Sequence, residues 1–105
     1  DIGKSFAEAA PIGLIHPVAA VGHPSRGAIW LDVNGVRRQQ GDLADLIWDV
    51  PHTIHFLSQY YELLPGDLIY TGTPAGVGAV VAGDRLDGGI DGLGTLAIAI
   101  APAVA

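Results

Sequence analysis

The sequence predicts an α+β fold that is mainly β, and three observations lead to this class. Apolar side chains recur at every second position in residues 29–33, directly before an Asn34-Gly35 pair, a pattern typical of a β-hairpin. One helical segment is indicated at about residues 42–62, and strand-like segments return after it. Because helices and strands do not alternate one by one, the order disfavours a doubly wound parallel sheet.

Residues 1–28 are predicted to be irregular. Three prolines and four glycines interrupt this stretch and exclude a long helix. We expect short extended pieces at residues 12–15 and at Val18–Val21.

A β-hairpin is predicted next. Ile29, Leu31 and Val33 would share one face of a strand over residues 29–33. The Asn-Gly pair that follows tolerates the positive φ angles of a type I′ turn. Residues 36–40 are therefore predicted to return as the partner strand.

The helical segment is predicted to have two parts. Asp42 can cap a first helix, whose apolar positions are Leu43, Leu46, Ile47 and Val50. Pro51 fits the first turn of a second helix, with Asp49 or Val50 near its cap. The apolar face of that second helix would carry Ile54, Leu57, Tyr61 and Leu64. A Pro-Gly pair then ends the segment.

The C-terminal third is predicted to be β again. A short strand is expected at residues 68–70, followed by a glycine-rich loop over residues 71–78. Two further strands are expected at Arg85–Ile90 and at residues 95–100, joined by a turn at residues 92–94.

Length and composition exclude several classes of protein. A chain of 105 residues forms one domain, and a net charge of -6 with Lys4 as its one lysine argues against nucleic-acid binding. The longest apolar run, residues 96–105, is half of the about 20 residues that a membrane span needs, and Pro102 interrupts it. No membrane partner is therefore expected.

The chain contains no cysteine and no methionine, and each absence leads to an expectation. Without cysteine there is no disulfide and no thiolate metal site, so a cytoplasmic location is expected. Without methionine, the chain is expected to begin downstream of its translation start, as part of a longer protein.

The loop over residues 71–78 has two possible interpretations. It is not a P-loop, because Ala79 follows Gly78 where a lysine is required, and its glycine spacing does not match a dinucleotide fingerprint. It could be a tight turn between strands. It could equally be an anion nest, in which backbone N–H groups and the Thr73 hydroxyl bind a carboxylate.

A histidine pair and the one lysine are further site candidates. His52 and His55 would share a helix face, but no carboxylate stands at a supporting spacing, so solvated or capping histidines are predicted. Lys4 could be an ordinary exposed charge. Partial burial would instead let its ammonium stabilise a developing anion.

Several segments, in this order along the chain, resemble the fumarylacetoacetate hydrolase family. They are Gly3-Lys4-Ser5-Phe6, Ala10-Pro11-Ile12-Gly13, Trp30-Leu31-Asp32-Val33-Asn34-Gly35, Arg38-Gln39-x-Gly41, Leu46-Ile47, Leu64-Pro65-Gly66-Asp67-Leu68-Ile69-Tyr70-Thr71-Gly72-Thr73-Pro74-Ala75-Gly76-Val77-Gly78, Gly83-Asp84 and Gly92-Leu93-Gly94. The resemblance covers nearly the whole chain, and residues 15–18 and 42–48 look most like the fumarylpyruvate hydrolase branch.

The resemblance implies a mixed β-sandwich or roll, of which residues 1–105 would be the C-terminal portion of the catalytic domain. The implied reaction is metal-dependent hydrolysis of a carbon–carbon bond in an acylpyruvate, with fumarylpyruvate giving fumarate and pyruvate. Two alternatives stay open: an isomerase or decarboxylase of 2-hydroxy-dienedioates from the same family, and a non-catalytic fragment that lacks the metal site.

The resemblance also assigns roles to individual residues. Lys4 matches the family's active-site lysine, and Gly72 and Thr73 match the turn that holds a substrate carboxylate. A divalent ion, Mg²⁺ or Mn²⁺, is implied, but the family's ligands precede the Gly-Lys-Ser-Phe segment, so no metal ligand is assigned here. The catalytic histidine–glutamate pair is likewise expected upstream, and Ala7 stands where the family often has Asp.

Three further properties follow from the same resemblance. The chain alone is expected to be inactive, because it would lack the metal half of the site. The protein is expected to be a homodimer, and its place is expected in aromatic-acid, gentisate-type catabolism.

Overall fold

The computed structural model describes residues 7–103, so Lys4 lies outside the described residues. Within this range the elements are α1 (Val18–Val21), β1 (Ala28–Val33), β2 (Val36–Asp42), a 3₁₀ helix (Leu43–Asp45), α2 (Val50–Ser58), β3 (Arg85–Ile90) and β4 (Gly94–Ala99). Four strands and few helical residues make the fold α+β and mainly β, as predicted.

The four strands form one antiparallel sheet in the order β2-β1-β3-β4. The hairpin of β1 and β2 runs from Ala28 opposite Asp42 to Val33 opposite Val36, and its register shifts between Leu31 and Asp32. Val33 is 4% exposed and lies at the end of β1, between Val36 of β2 and Leu86 of β3. Strand β2 forms one edge, which leaves its outer side free of any described strand.

The predicted hairpin is confirmed, including its turn. Asn34 and Gly35 have φ angles of 51° and 80°, in the left-handed region that the Asn-Gly pair tolerates best. Strand β2 runs two residues beyond the predicted range and ends at Asp42.

The helical segment is shorter and more divided than predicted. The Asp42 carboxylate accepts the N–H of Ala44, but the helix that it caps is a single 3₁₀ turn, and Leu46 already has ψ of 127°. The second helix begins as predicted, with Asp49 as its cap and Pro51 in its first turn, and ends at Ser58. The chain must be extended at the Asp49 cap, so one helix cannot run through both parts.

Two predictions of extended structure are wrong. Val18–Val21 forms one helical turn, in which the N–H of Val21 donates to the Pro17 carbonyl and Gly22, with φ of 72°, ends the turn. Residues 68–70 form no strand, because no neighbouring strand pairs with them in the described sheet. The Tyr70 hydroxyl instead donates to the carbonyl of Ala10 at 3.0 Å.

Many large apolar side chains of the described residues are exposed to solvent. Ile47 is 97% exposed, and Trp48 and Phe56 on the segment around α2 are also exposed. No helix in residues 7–103 combines the length and apolar character needed to cross a lipid bilayer.

Candidate functional site

The glycine-rich loop over residues 71–78 lies against strand β2. The Gln39 side chain connects the two: its Nε2 donates to Thr73 Oγ1 at 2.8 Å and to the Pro74 carbonyl oxygen at 2.7 Å. Gln39 is 9% exposed and is the buried polar residue of the strand. The loop is thus hydrogen-bonded to β2, an edge strand of the described sheet.

Two glycines permit the close approach of loop and strand. A Cβ at Gly76 would overlap the carbonyl oxygen of Arg38, and Gly76 has φ of 103°. A Cβ at Gly41 would lie 3.1 Å from Cβ of Pro74, tighter than ordinary van der Waals contact. Backbone packing therefore supplements the hydrogen bonds of Gln39.

The two site residues predicted in this loop, Gly72 and Thr73, are both exposed. Gly72 has φ of 97°, and open space surrounds the position of an added Cβ. The Thr73 hydroxyl oxygen accepts a hydrogen bond from Gln39, so its own proton is free to be donated elsewhere. An exposed hydroxyl donor beside an open backbone turn is chemically suited to an anion such as a carboxylate.

Two adjoining clefts lie beside α2, and one of them reaches the start of this loop. The larger holds about 430 Å³ and is lined by Leu46, Ile47, Trp48, Asp49, His52, His55, Phe56 and Gln59. The other holds about 370 Å³, shares the Leu46–Trp48 segment with it, and reaches Thr71 at the start of the loop. An open, partly aromatic surface thus extends from α2 to Thr71, the residue before Gly72.

The histidines at α2 take local roles. His52 Nδ1 lies 2.6 Å from Asp49 Oδ1, and the His52 backbone N–H donates to the same carboxylate. These two hydrogen bonds, the backbone one first, lower the pKa of Asp49. His55 contacts Gln59 one turn later. His52 is therefore an exposed partner of the Asp49 cap.

The described residues do not fit a divalent-metal site. No group of three or more His, Asp or Glu side chains in residues 7–103 is arranged around a common point. Their carboxylates serve the backbone instead: those of Asp42, Asp67 and Asp84 each accept a main-chain N–H. A metal held by this protein would need ligands from outside residues 7–103.

Gln39 was not predicted as a site residue. The segment Arg38-Gln39-x-Gly41 was noted only as part of the resemblance, with no role for its glutamine. The strand Val36–Asp42 reads VRRQQGD and has no apolar alternation, so its pattern does not indicate which side chain is buried.

Comparison with known proteins places the chain in a family. Residues 2–101 match the family model described as fumarylacetoacetate (FAA) hydrolase C-terminal. Fumarylpyruvate hydrolase of Ralstonia sp is 47% identical over 103 residues, which cover 98% of this chain and 53% of that protein. Oxaloacetate tautomerase FAHD1 of Rattus norvegicus, a mitochondrial protein, is 40% identical over 92 residues, 88% of this chain and 42% of that protein.

Solved structures agree with these relatives. Fumarylpyruvate hydrolase from Pseudomonas aeruginosa, in complex with Mn²⁺ and pyruvate, superposes with a TM-score of 0.89 and 51% identity, over 91% of this chain and 41% of that chain. Maleylpyruvate hydrolase from Sphingobium sp. SYK-6 superposes with a TM-score of 0.78 and 41% identity, over 82% of this chain and 32% of that chain. The chain spans about half the length of the curated relatives it matches. It belongs to the fumarylacetoacetate hydrolase family.

Proposed function

We propose that the full-length protein containing this chain hydrolyses a carbon–carbon bond in an acylpyruvate, with fumarylpyruvate as the first candidate substrate. One observation of the site carries this proposal: the exposed residue Thr73 keeps its hydroxyl proton available, in a loop that the Gln39 side chain joins to the sheet. The Ralstonia relative, a fumarylpyruvate hydrolase at 47% identity, supports the choice of substrate.

The proposed role of the loop is to hold the carboxylate of the pyruvyl group. The Thr73 hydroxyl would donate to one carboxylate oxygen, and the backbone beside Gly72 is open enough for the other to approach. A hydrogen bond to a charged acceptor is stronger than a neutral one, which suits a group that must orient the substrate.

In the proposed reaction, water adds to the acyl carbonyl carbon. The bond between that carbon and C3 of the pyruvyl unit then breaks, and its electron pair leaves as the enolate of pyruvate. Protonation at C3 gives pyruvate, and fumarylpyruvate gives fumarate as the other product. Lys4, from outside the described residues, is proposed to place its ammonium near the developing enolate oxygen.

The proposal includes a divalent ion, Mg²⁺ or Mn²⁺, held by residues outside 7–103. The P. aeruginosa relative was solved with Mn²⁺ and pyruvate, which supports a metal-dependent activity. Residues 1–105 would then be the C-terminal portion of a catalytic domain and inactive alone. The homodimer, the cytoplasmic location and the gentisate-type pathway stay predictions.

A second candidate is isomerisation without bond cleavage. The Rattus norvegicus relative, at 40% identity, is an oxaloacetate tautomerase, and a 5-carboxymethyl-2-hydroxymuconate delta-isomerase from Mycobacterium smegmatis superposes with a TM-score of 0.73 and 37% identity. Both hydrolysis and isomerisation pass through an enolate beside a carboxylate. The loop and Lys4 would therefore serve either reaction, and only the products separate them.

The test is an assay of the full-length protein with fumarylpyruvate and, in a separate reaction, with the enol form of oxaloacetate, each with either ion. We expect one pyruvate and one fumarate per fumarylpyruvate consumed, loss of activity with a chelator, and recovery when the ion is restored. Isomerised substrate or ketonised oxaloacetate, without pyruvate, would favour the second candidate. If no substrate changes and calorimetry detects no binding of Mg²⁺ or Mn²⁺, the non-catalytic alternative is supported.

A further inference from the structure

We propose that Gln39 is a positioning residue, which keeps the Thr73 hydroxyl proton directed at the substrate carboxylate. This inference rests on the proposed function of the loop and adds a residue to which the family resemblance gave no role.

The orientation of the Gln39 amide follows from its partners. The Pro74 carbonyl oxygen can only accept, so the atom 2.7 Å from it must be the amide nitrogen. The same nitrogen lies 2.8 Å from Thr73 Oγ1, and its two hydrogens serve these two acceptors. Thr73 is thereby an acceptor toward Gln39 and keeps its proton as a donor toward solvent or substrate.

Gln39 takes its position from the sheet. Gln39 pairs with Leu31, next to the register shift of the β1–β2 hairpin, and the residue is 9% exposed. The glycines Gly76, beside Arg38, and Gly41, beside Pro74, let the loop backbone approach the strand closely. Of the side chains of these residues, that of Gln39 contacts the Thr73 hydroxyl.

A purely structural tie and a positioning role make different predictions. If Gln39 only anchors the loop through Pro74, its removal should weaken ligand binding whether or not residue 73 carries a hydroxyl. If it orients the hydroxyl proton, its removal should matter only when that hydroxyl is present. A double-mutant cycle separates the two cases.

The probe is pyruvate, whose dissociation constant is measured by calorimetry with the full-length protein in the presence of Mn²⁺. The cycle uses wild type, Gln39→Met, Thr73→Val and the double variant. We expect each single substitution to weaken pyruvate binding about tenfold, the loss of one hydrogen bond to a charged group, and the double variant to bind no more weakly than Thr73→Val. Multiplicative losses, or wild-type binding by Gln39→Met, would overturn the proposal.

The matched control is Gln40→Met on the same strand. Gln40 is exposed, and its side chain accepts from Arg37 instead of contacting the loop. Pyruvate binding by this variant should equal that of wild type. A loss as large as that of Gln39→Met would indicate a general effect on strand β2 and overturn the assignment.

A second variant serves if Gln39→Met does not fold. Gln39→Glu keeps the size of the side chain, but an ionised carboxylate cannot donate and would take the Thr73 proton for itself. Pyruvate binding should be weak while this carboxyl is ionised and recover as falling pH protonates it, relative to wild type at each pH. An unchanged ratio between the two proteins across that range would contradict the positioning role.

The outcomes also separate this inference from the proposed function. If the full-length protein cleaves acylpyruvates but shows no coupling between Gln39 and Thr73, the proposed function is supported and the positioning role of Gln39 is overturned. If the protein binds pyruvate with the predicted coupling but cleaves no acylpyruvate, the positioning role of Gln39 is supported and the proposed reaction is overturned. Absence of pyruvate binding in wild type overturns the inference outright.

Discussion

Asn34 and Asp84 are joined by a hydrogen bond of 2.9 Å from Asn34 Nδ2 to Asp84 Oδ1, although 50 positions separate them in the sequence. Asn34 Oδ1 also accepts the backbone N–H of Arg85 at 2.9 Å, and Asn34 N–H donates to the Arg85 carbonyl. The turn between β1 and β2 is therefore tied to the start of β3. One residue both shapes the hairpin and fixes the third strand beside it.

Asn34→Ala should destabilise the full-length protein by about 1–3 kcal/mol, because it removes two side-chain hydrogen bonds and places alanine at a left-handed φ. Asn34→Gly is the matched control, since it loses the same bonds but tolerates the φ angle. Urea unfolding should rank wild type above Asn34→Gly and Asn34→Gly above Asn34→Ala. Equal unfolding midpoints for all three would contradict the proposed tie.

Gly76→Ala should damage the loop more than Gly66→Ala does. Both glycines have similar positive φ angles, 103° and 94°, so both substitutions strain the backbone. Only at Gly76 would the new Cβ meet a backbone carbonyl, that of Arg38, whereas Gly66 faces open space. We expect a clearly lower melting temperature and weaker pyruvate binding for Gly76→Ala. If the two variants have the same melting temperature, close packing of loop and strand contributes little to stability.

Acid should weaken the tie between the hairpin and β3. The backbone N–H of Val81, and then the Asn34 side chain, hold the pKa of Asp84 below its ordinary value of 3.8. A lowered native pKa means that the contribution of Asp84 is fully present above pH 3.8 and is lost as the pH falls from there through the native pKa.

Asp84→Asn tests this directly. The variant should be less stable than wild type at neutral pH, and the difference in unfolding free energy should shrink as the pH falls below 3.8. Urea unfolding at a series of pH values measures that difference. A gap that does not change with pH would mean that the charge of Asp84 does not contribute to stability.

The parts of the fold that were predicted correctly depend on local chemistry. The Asn34-Gly35 turn and the Asp49 cap before Pro51 are each specified by adjacent residues, so a sequence pattern is enough to place them. The strand predicted at residues 68–70 failed for the opposite reason. A strand exists only with a partner, and apolar character at these positions does not supply one.

The candidate site likewise combines residues indicated by local sequence with one that depends on a distant contact. Gly72 and Thr73 are predicted as site residues from their own loop and from the family resemblance, and their role stays a prediction. Gln39 was not predicted, because its burial depends on a loop 34 positions away, at Thr73. The polar strand around it gives no periodicity that singles out one glutamine, so only the folded contact reveals its place.

Lys4 is predicted to act in the chemical step. If its ammonium stabilises the enolate, Lys4→Met in the full-length protein should lower kcat about a hundredfold or more, as for loss of one transition-state donor. Lys4→Arg, which keeps the charge, should retain more activity than Lys4→Met. Steady-state kinetics with fumarylpyruvate measures both. A change confined to KM would contradict this role.

Thr73 is predicted to act in binding. Its hydroxyl would contact a carboxylate that keeps its charge throughout the reaction, so the contact contributes similarly in the ground state and the transition state. Thr73→Val, which keeps the shape and removes the donor, should therefore raise KM about tenfold with little change in kcat. Thr73→Ser keeps the hydroxyl that Gln39 contacts and should stay close to wild type. If Thr73→Val left KM unchanged, or if Thr73→Ser were as impaired as Thr73→Val, the hydroxyl could not be the group that captures the carboxylate.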